Sequence, residues 1–589
     1  MGVPGLSPWM EQNFPSHAKR VSSSDERFER PVADIDNAYV DGNALLHPAA
    51  QQGFHYGQHA GLKDQYTGLT YAERLLVTFN IFFAMITSRV RLLRPKRLVY
   101  IALDGPAPLA KQAQQRIRRF GLLPAEGKKT SPAEGFDPSS MTPGTPFMLE
   151  LTRYMRAKIR QEINRRGSPY HKLSVRFSPS TVPGEGEHKL MSYIRSIPED
   201  ERYELSHCLC GPDGDLIMLT LASRLPRMHL LRETQQVDLF TLMDIGGIYG
   251  TLPENLISKA TRAKLSSKEL KHLENQVVDD FLLIGFFVGN DFLPRIEMFQ
   301  NLDKGLDQML TIYSRTITKP LTVRTDKGSV IDLEQFSRFI FGLSGVEIRE
   351  LSGLAQQNDR FEGEIDLTNR TLRRHYRGGK LNFEAFRVDY YKKANVSSSD
   401  EAPRSVMSLT TDYLKTLCWI LMYYTEGVPS WDWYYAWWYA PLMQDLYGVT
   451  SSLKHAKNAC SFELGSPSEP FLQLLTVTPK KSAVFLPAPL RELYDDPILS
   501  KFSNLDARAL QDFEGKPKAH LGIVRLPFID MEALRKLYKA QKKLLKFRYV
   551  RNEVGVDTTY RYDPEYTASF RSPYWSSKDS HVSHVDSTE

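Results

Sequence analysis

Residues Pro183 to Lys189 read P-G-E-G-E-H-K, and the fold can be worked out from what this stretch requires. Glu185 and Glu187 stand two apart among glycines, just before a helix-spaced run of Leu190, Met191, Ile194 and Ile197. Carboxylates this close raise each other's pKa and cannot both ionise cheaply. A hard divalent cation reverses that balance, because it takes oxygen ligands. Residues at i and i+2 share a face only in extended backbone. The pair therefore fits a strand end or a glycine-rich loop, and it calls for further carboxylates from elsewhere in the chain.

Those carboxylates stand where short apolar runs stop. Residues 38–40 read as a strand ending at Asp41, and residues 97–103 as one ending at Asp104. Residues 173–177 alternate like a strand and lead into the glutamate loop. Residues 205–210 lead into G-P-D-G-D, with Asp213 and Asp215, and residues 228–231 form one more strand. Helical spacing fills 71–94, 109–120 and 147–166, the last with Gly167 at a C-cap position. This alternation predicts an α/β fold, a mainly parallel twisted sheet flanked by helices. In open α/β sheets, sites lie beyond the carboxyl ends of the strands. Asp291 follows the apolar run 277–288 in V-G-N-D-F. Any one of these acids alone is better read as a solvated loop residue. Seven at strand ends and glycine turns (Asp41, Asp104, Glu185, Glu187, Asp213, Asp215, Asp291) read as one cluster assembled by the fold. Oxygen-only ligands select Mg²⁺ or Mn²⁺ over zinc, and two such ions about 4 Å apart serve phosphodiester hydrolysis.

Length and composition set the frame. A chain of 589 residues exceeds one core, so at least two domains are expected. The expected division is an α/β core over 1–250 and a mainly helical region over 251–550, packed against the core and completing the site. A polar insertion or linker is expected at about 320–405, and a partly disordered tail over 551–589. Net charge is +7, a basic bias compatible with nucleic acid. The four cysteines form no C-x-x-C pair, so neither a zinc site nor a disulfide framework is indicated, and a reducing intracellular compartment fits. No uncharged apolar run is long enough for a membrane span. The N-terminus lacks a signal-peptide core. Met1-Gly2 is followed by Leu6 where a myristoylation signal wants Ser or Thr.

Three further features carry chemistry. Lys111, Gln115 and Arg118 fall on one helix face with Arg119 at its edge, which suits a terminal phosphate. By itself such a face is more often merely solvated; its position just after Asp104 favours phosphate. His47 follows Asp41 in D-G-N-A-L-L-H and is as readily a packing residue as a functional one. S-W-D-W-Y-Y-A-W-W-Y (430–439) offers base-stacking aromatics, most of them expected in the core. Residues 532–548 carry a basic helix pattern with Lys536, Lys539, Lys542, Lys543 and Lys546.

Taken in order, these motifs are recognisable. M-G-V-P, D-G-N-A-L-L-H, A-L-D-G-P-A-P-L-A-K-Q-A-Q-Q-R-I-R-R-F, T-P-G-T-P-F-M, P-G-E-G-E-H-K, C-G-P-D-G-D-L-I-M-L and V-G-N-D-F-L-P resemble the Xrn-type 5′→3′ exoribonucleases, relatives of flap endonucleases with a PIN-like core. S-W-D-W-Y-Y and L-P-F-I-D resemble the second conserved region of that family. The resemblance covers nearly the whole chain, more weakly at 320–405 and after 550. It implies that the seven acids hold two Mg²⁺ ions, with water as the attacking group. It also implies that Lys111, Gln115, Arg118 and Arg119 form a closed pocket for a 5′-monophosphate that excludes caps and triphosphates. His47 would stack on the first base with Trp431 or Trp433, and Pro108 would sit where a duplex is pried apart.

The chain departs from the family pattern at Leu109 (commonly Arg), Ile117 (commonly Gly), Ala436 and Trp438, and it lacks the long C-terminal extensions of cytoplasmic relatives. The implied activity is processive, Mg²⁺-dependent 5′→3′ hydrolysis of 5′-monophosphorylated single-stranded RNA to nucleoside monophosphates, in the nucleus or the cytoplasm, with an activating protein partner conceivable. The alternatives are a structure-specific 5′ nuclease on DNA flaps and an RNA-binding scaffold of weak activity.

Overall fold

The structure is a computed structural model, and it describes residues 6–22, 32–121, 136–299, 302–397, 404–452, 459–503, 505 and 510–566, apart from 235 and 237. Met1-Gly2, the M-G-V-P motif, most of the 121–145 loop and the tail from 576 lie outside those residues.

Eight strands form the central sheet. Seven come from the first half of the chain: β1 Ala18–Ser22, β2 Asn37–Asp41, β3 Leu98–Ala102, β4 Ser174–Ser178, β5 His207–Cys210, β6 Met228–Glu233 and β7 Leu239–Asp244. Their order is β1-β7-β6-β5-β2-β3-β4, and Thr558–Tyr560 is added beyond β4. The five from β6 to β4 are mutually parallel. β7, β1 and Thr558–Tyr560 join antiparallel. β2 and β3 are buried along their whole length, as parallel strands covered on both faces must be.

Alternate residues along these strands feed two different cores. Tyr39, Tyr100 and Leu209 point to one face, covered by the helices Gly186–Ser196 and Asp215–Ala222, and their core runs on into the helices Ser267–Gly285, Leu333–Ala355 and Val406–Thr425. Ala38, Val40, Val99 and Ile101 point to the other, under the helices Gly42–Gly53, Tyr71–Leu93 and Pro146–Asn164. Tyr71–Leu93 is long and apolar enough to cross a membrane. Here its Phe79, Phe82, Ile86 and Val90 face are buried against the sheet.

Three sequence expectations need correction. The stretch 320–405 is more than a linker: it holds a hairpin (Thr322–Thr325 with Gly328–Ile331) and the 23-residue helix Leu333–Ala355, whose Phe336, Phe339, Ile340 and Leu343 join the main core. The exposed side of that helix carries Phe341 and Ile348 while Gln335 and Glu347 are buried, which blurs the period. Within 551–589, Thr558–Tyr560 pairs with Val175–Phe177 at the sheet edge. The helix read over 147–166 stops at Asn164, so Gly167 (φ +78°) lies in the following turn rather than at the C-cap. Cys418 and Cys460, 42 residues apart, are joined as a disulfide, a pairing that their spacing did not indicate.

Candidate functional site

The site lies where the strand order reverses around β2, beyond the carboxyl ends of β2, β3, β4 and β5. Asp41 ends β2 and caps the helix Gly42–Gly53 by accepting the Asn43 N–H at 3.2 Å. Asn43 then fixes the acid of the next strand. Its amide donates to Asp104 Oδ2 and its carbonyl accepts the Asp104 N–H, both at 3.0 Å. The Gly186 N–H donates to Asp104 Oδ1 at 2.8 Å. A Cβ at Gly186 would lie 3.1 Å from Asp41 Oδ1 and 3.4 Å from Asp104 Oδ1, so the glutamate loop is pressed onto both aspartates. As a result, carboxylate oxygens of Asp41, Asp104 and Glu187 lie within 4.8 Å of one another, and so do ligand atoms of Glu185, Glu187 and His188.

The electrostatics tie all seven acids together. Burial pushes Asp41 well above the usual carboxylate range, and Asp104, Asp213 and Asp215 push it further. Burial raises Glu187 strongly as well, with Glu185, Asp41 and Asp104 adding and Lys111 opposing. Burial raises Glu185 against the pull of Lys111. Asp215 reaches about 6 through burial, opposed by Lys111 and reinforced by Asp213 and Asp291. Asp291 alone goes down, to about 2, because Lys111 and Arg118 outweigh its burial.

These carboxylates suit a hard cation. Asp215 Oδ1 is buried with no hydrogen-bond partner. Among the described residues, no ammonium or guanidinium bonds Asp41, Asp104 or Glu187, whereas the Lys111 ammonium bridges Glu185 and Asp291. A cation is thus accepted on one side of the cluster and lacking on the other.

Lys111 also opens the basic pocket. Burial lowers its pKa, but Glu185, Asp291, Glu187 and Asp215 together hold it well above the usual value, so it stays charged. Arg118, one face along the helix Leu109–Gly121, donates to Asp291 at 3.1 Å. Its Nε, and Nη1 of Arg119, are buried donors without a partner. Gln115 accepts from the Gln473 amide at 3.3 Å. Arg116 points the other way and is spent on the carbonyls of Phe502 and Pro527. His47 keeps an exposed face at the rim. Burial lowers its pKa; Asp104 raises it, and Arg119 and Arg118 lower it, so both the acids and the basic pocket act on the ring's charge.

The tryptophans separate. The Trp433 indole donates to Thr416 at 3.1 Å and is covered by Lys415 and Phe462, so it belongs to the framework. Trp431 is half-buried, and its carbonyl accepts the Leu109 N–H at 3.0 Å, at the start of the basic helix. Pro108 is buried at that same start, its carbonyl accepting the backbone N–H groups of Lys111 and Gln112.

Sequence reasoning missed three contributors: Asn43, Tyr423 and His188. The Tyr423 hydroxyl donates to Glu185 Oε1 at 2.7 Å, and its ring stacks on His188 at 3.6 Å. Tyr423 sits in a helix whose last turns are buried all round, so no amphipathic pattern marked it out. His188 stands inside the glutamate motif, and its buried Nδ1 has no partner.

Comparison with known proteins agrees with this geometry. Residues 1–234 match the family model described as the XRN 5′-3′ exonuclease N-terminus, and residues 271–374 and 378–588 match the Xrn1 helical domain. The chain is 28% identical to human 5′-3′ exoribonuclease 1 over 91% of its own length and 34% of the relative's. It is 26% identical to the 5′-3′ exoribonuclease 2 homolog of Drosophila melanogaster (91% and 70%) and 27% identical to 5′-3′ exoribonuclease 2 of Gallus gallus (95% and 72%). It thus spans about a third of the human relative's length.

Proposed function

Because the chain belongs to the XRN 5′-3′ exonuclease family, we propose that it is a 5′→3′ exoribonuclease that hydrolyses RNA from a 5′-monophosphorylated end and releases nucleoside monophosphates. The observation that carries this reading is the position of Lys111, whose ammonium touches Glu185 and Asp291 together. The wall of the acid cluster is therefore also the wall of the basic pocket. An end phosphate held by Arg118 and Arg119 sets the first phosphodiester against the acids. A chain without an end cannot enter in that way, which makes the cut exonucleolytic.

Asp41, Asp104, Glu185, Glu187, Asp213, Asp215 and Asp291 would hold Mg²⁺, two ions by the size of the cluster; the metal supplies charge neutralisation at the scissile phosphate and activation of water. The side chains do the rest. Asn43 fixes Asp104 against Asp41. Tyr423 orients Glu185. His47 and Trp431 clamp the terminal base, which limits its approach and keeps the reacting phosphate in register. The buried, unpartnered N–H groups of Arg118 and Arg119 give up no existing bond when they take a phosphate oxygen.

The test is a decay assay on one RNA carrying 5′-hydroxyl, monophosphate, triphosphate or cap, with a flapped DNA alongside, in the presence and absence of Mg²⁺. Stepwise decay of the monophosphate form alone, dependent on metal, is expected. Preferential cleavage of the flap, or equal decay of all four 5′ ends, overturns the reading.

A further inference from the structure

The basic helix singled out in the sequence has no part in the site as described, yet it adjoins the entrance. Met531–Lys542 buries Leu534 and Tyr538 against Phe471, Leu474 and Leu475 of the helix Pro470–Val477. Gln473 of that second helix reaches Gln115 in the basic pocket and the Ala107 N–H just before it. At its first turns the Arg535 guanidinium pairs with Asp432, between the two tryptophans. The first turns of this helix are therefore tied to the segment that carries Trp431.

Arg535, Lys539 and Lys543 recur every four residues along it, a rise of about 6 Å per step. This is of the order of the phosphate-to-phosphate step of an extended strand. Lys546 follows three residues on, just past the end of the helix, and is likewise exposed. The neighbouring cations are already satisfied: Lys536 pairs with Glu532, Lys542 with Glu469, and Arg548 with Glu553. Lys539, Lys543 and Lys546 are exposed and form no ion pair with any described residue. Exposed apolar side chains, Leu544, Phe547 and Val550, stand next to them.

We propose that Lys539, Lys543 and Lys546 form a track for the phosphate backbone of single-stranded RNA downstream of the 5′ end. The occupant follows from charge complementarity and from the continuity of the stripe, through Arg535 and Asp432, with Trp431 at the entrance. Lysine point charges on an exposed face bind phosphates without reading sequence. The track holds the substrate between successive cuts, so it acts on long RNA and leaves the reaction at the end untouched. This inference rests on the exoribonuclease reading.

The experiment compares wild type with Lys539→Ala/Lys543→Ala/Lys546→Ala on two 5′-monophosphorylated RNAs, of about 4 and about 30 nucleotides, over a salt series. A control variant, Lys264→Ala/Lys268→Ala/Lys271→Ala, removes the same charge from exposed positions elsewhere. The expected result is a KM about tenfold higher and shorter processive runs on the long RNA only. The plot of log affinity against log salt should be shallower by about 2, since each single-strand phosphate contact contributes about 0.7.

An unchanged slope and an unchanged long-to-short ratio overturn the track. So does an equal effect of the control variant, which would make net charge the cause. Retained RNA handling with loss of binding to an acidic partner protein would assign the stripe to that partner instead. If wild type degrades neither RNA, the exoribonuclease reading itself fails, an outcome distinct from failure of the track.

Discussion

Tyr423 and Glu185 stand 238 residues apart in sequence and 2.7 Å apart in space, the phenol donating to the carboxylate. The helical region thus supplies a hydrogen bond to the acid cluster of the α/β region, and the stack of Tyr423 on His188 holds that phenol in place. A group that orients a metal-binding carboxylate typically contributes 10- to 100-fold in metal affinity or activity. Tyr423→Phe keeps the ring and removes the donor. The half-saturating Mg²⁺ concentration should rise about tenfold or more, with Tm little changed. Titration calorimetry with Mn²⁺ reads the same shift without turnover, and an unaltered affinity would show that the bond only packs the helix.

The acid cluster makes the metal-free protein pH-sensitive. Asp41 and Glu187 are raised in the folded state by burial and by their neighbours. A raised carboxylate pKa means that the native state binds protons the unfolded chain has already released, so stability falls as pH climbs above the ordinary carboxylate range. Metal must displace those protons and relieves the repulsion between the acids. Mg²⁺ should therefore raise Tm more at pH 8 than at pH 6. At about 100 times its Kd the gain corresponds to about 2.7 kcal/mol. Asp41→Asn should stabilise the chelated protein and reduce the Mg²⁺ effect, both read by thermal melts with EDTA and with Mg²⁺.

Arg118 offers one buried nitrogen without a partner, beside a guanidinium already anchored on Asp291. Arg118→Ala should cut the preference for 5′-monophosphate over 5′-hydroxyl RNA by about tenfold or more, while binding to internal RNA changes much less. Competition binding with the two end-forms measures this. Equal loss for both would remove Arg118 from end recognition.

Trp431 and Trp433 should part company. Trp431→Ala should weaken substrate by about 1–3 kcal/mol, the contribution of one base stack, with Tm nearly unchanged. Trp433→Ala removes a ring held by Thr416, Lys415 and Phe462 and should lower Tm first. Paired KM and melting measurements separate the two effects; a reversed pattern would exchange the roles.

The metal-facing part of this design was legible because parallel strands announce themselves. Each apolar run that stops at an acid marks a carboxyl end, and Asp41, Asp104 and Asp213 converge for that reason. The glutamate loop was legible through its glycines: Gly186 leaves no room for a Cβ between two aspartates. Tyr423 was hidden because a helix turn buried on every side carries no period. Residues 333–355 were hidden because the two faces mix types: Phe341 and Ile348 are exposed, and Gln335 and Glu347 are buried. The strand at 558–560 was hidden for a different reason: three residues carry no pattern, and their partner lies nearly 400 positions earlier.

That late strand has a consequence for how the protein comes into being. Val175 to Phe177 remain an open edge until Thr558–Tyr560 arrive, and the Tyr100 hydroxyl waits for Asp557, which it reaches at 2.6 Å. A ribosome must deliver the chain at least as far as Tyr560 before the central sheet is sealed, so closing this contact carries one of the longest loop-closure costs among the described residues. A nascent or prematurely terminated chain would meanwhile display a bare strand to its neighbours. Cells making this protein have reason to shield that edge during synthesis, and anyone shortening the chain should cut after Tyr560 rather than before Asp557.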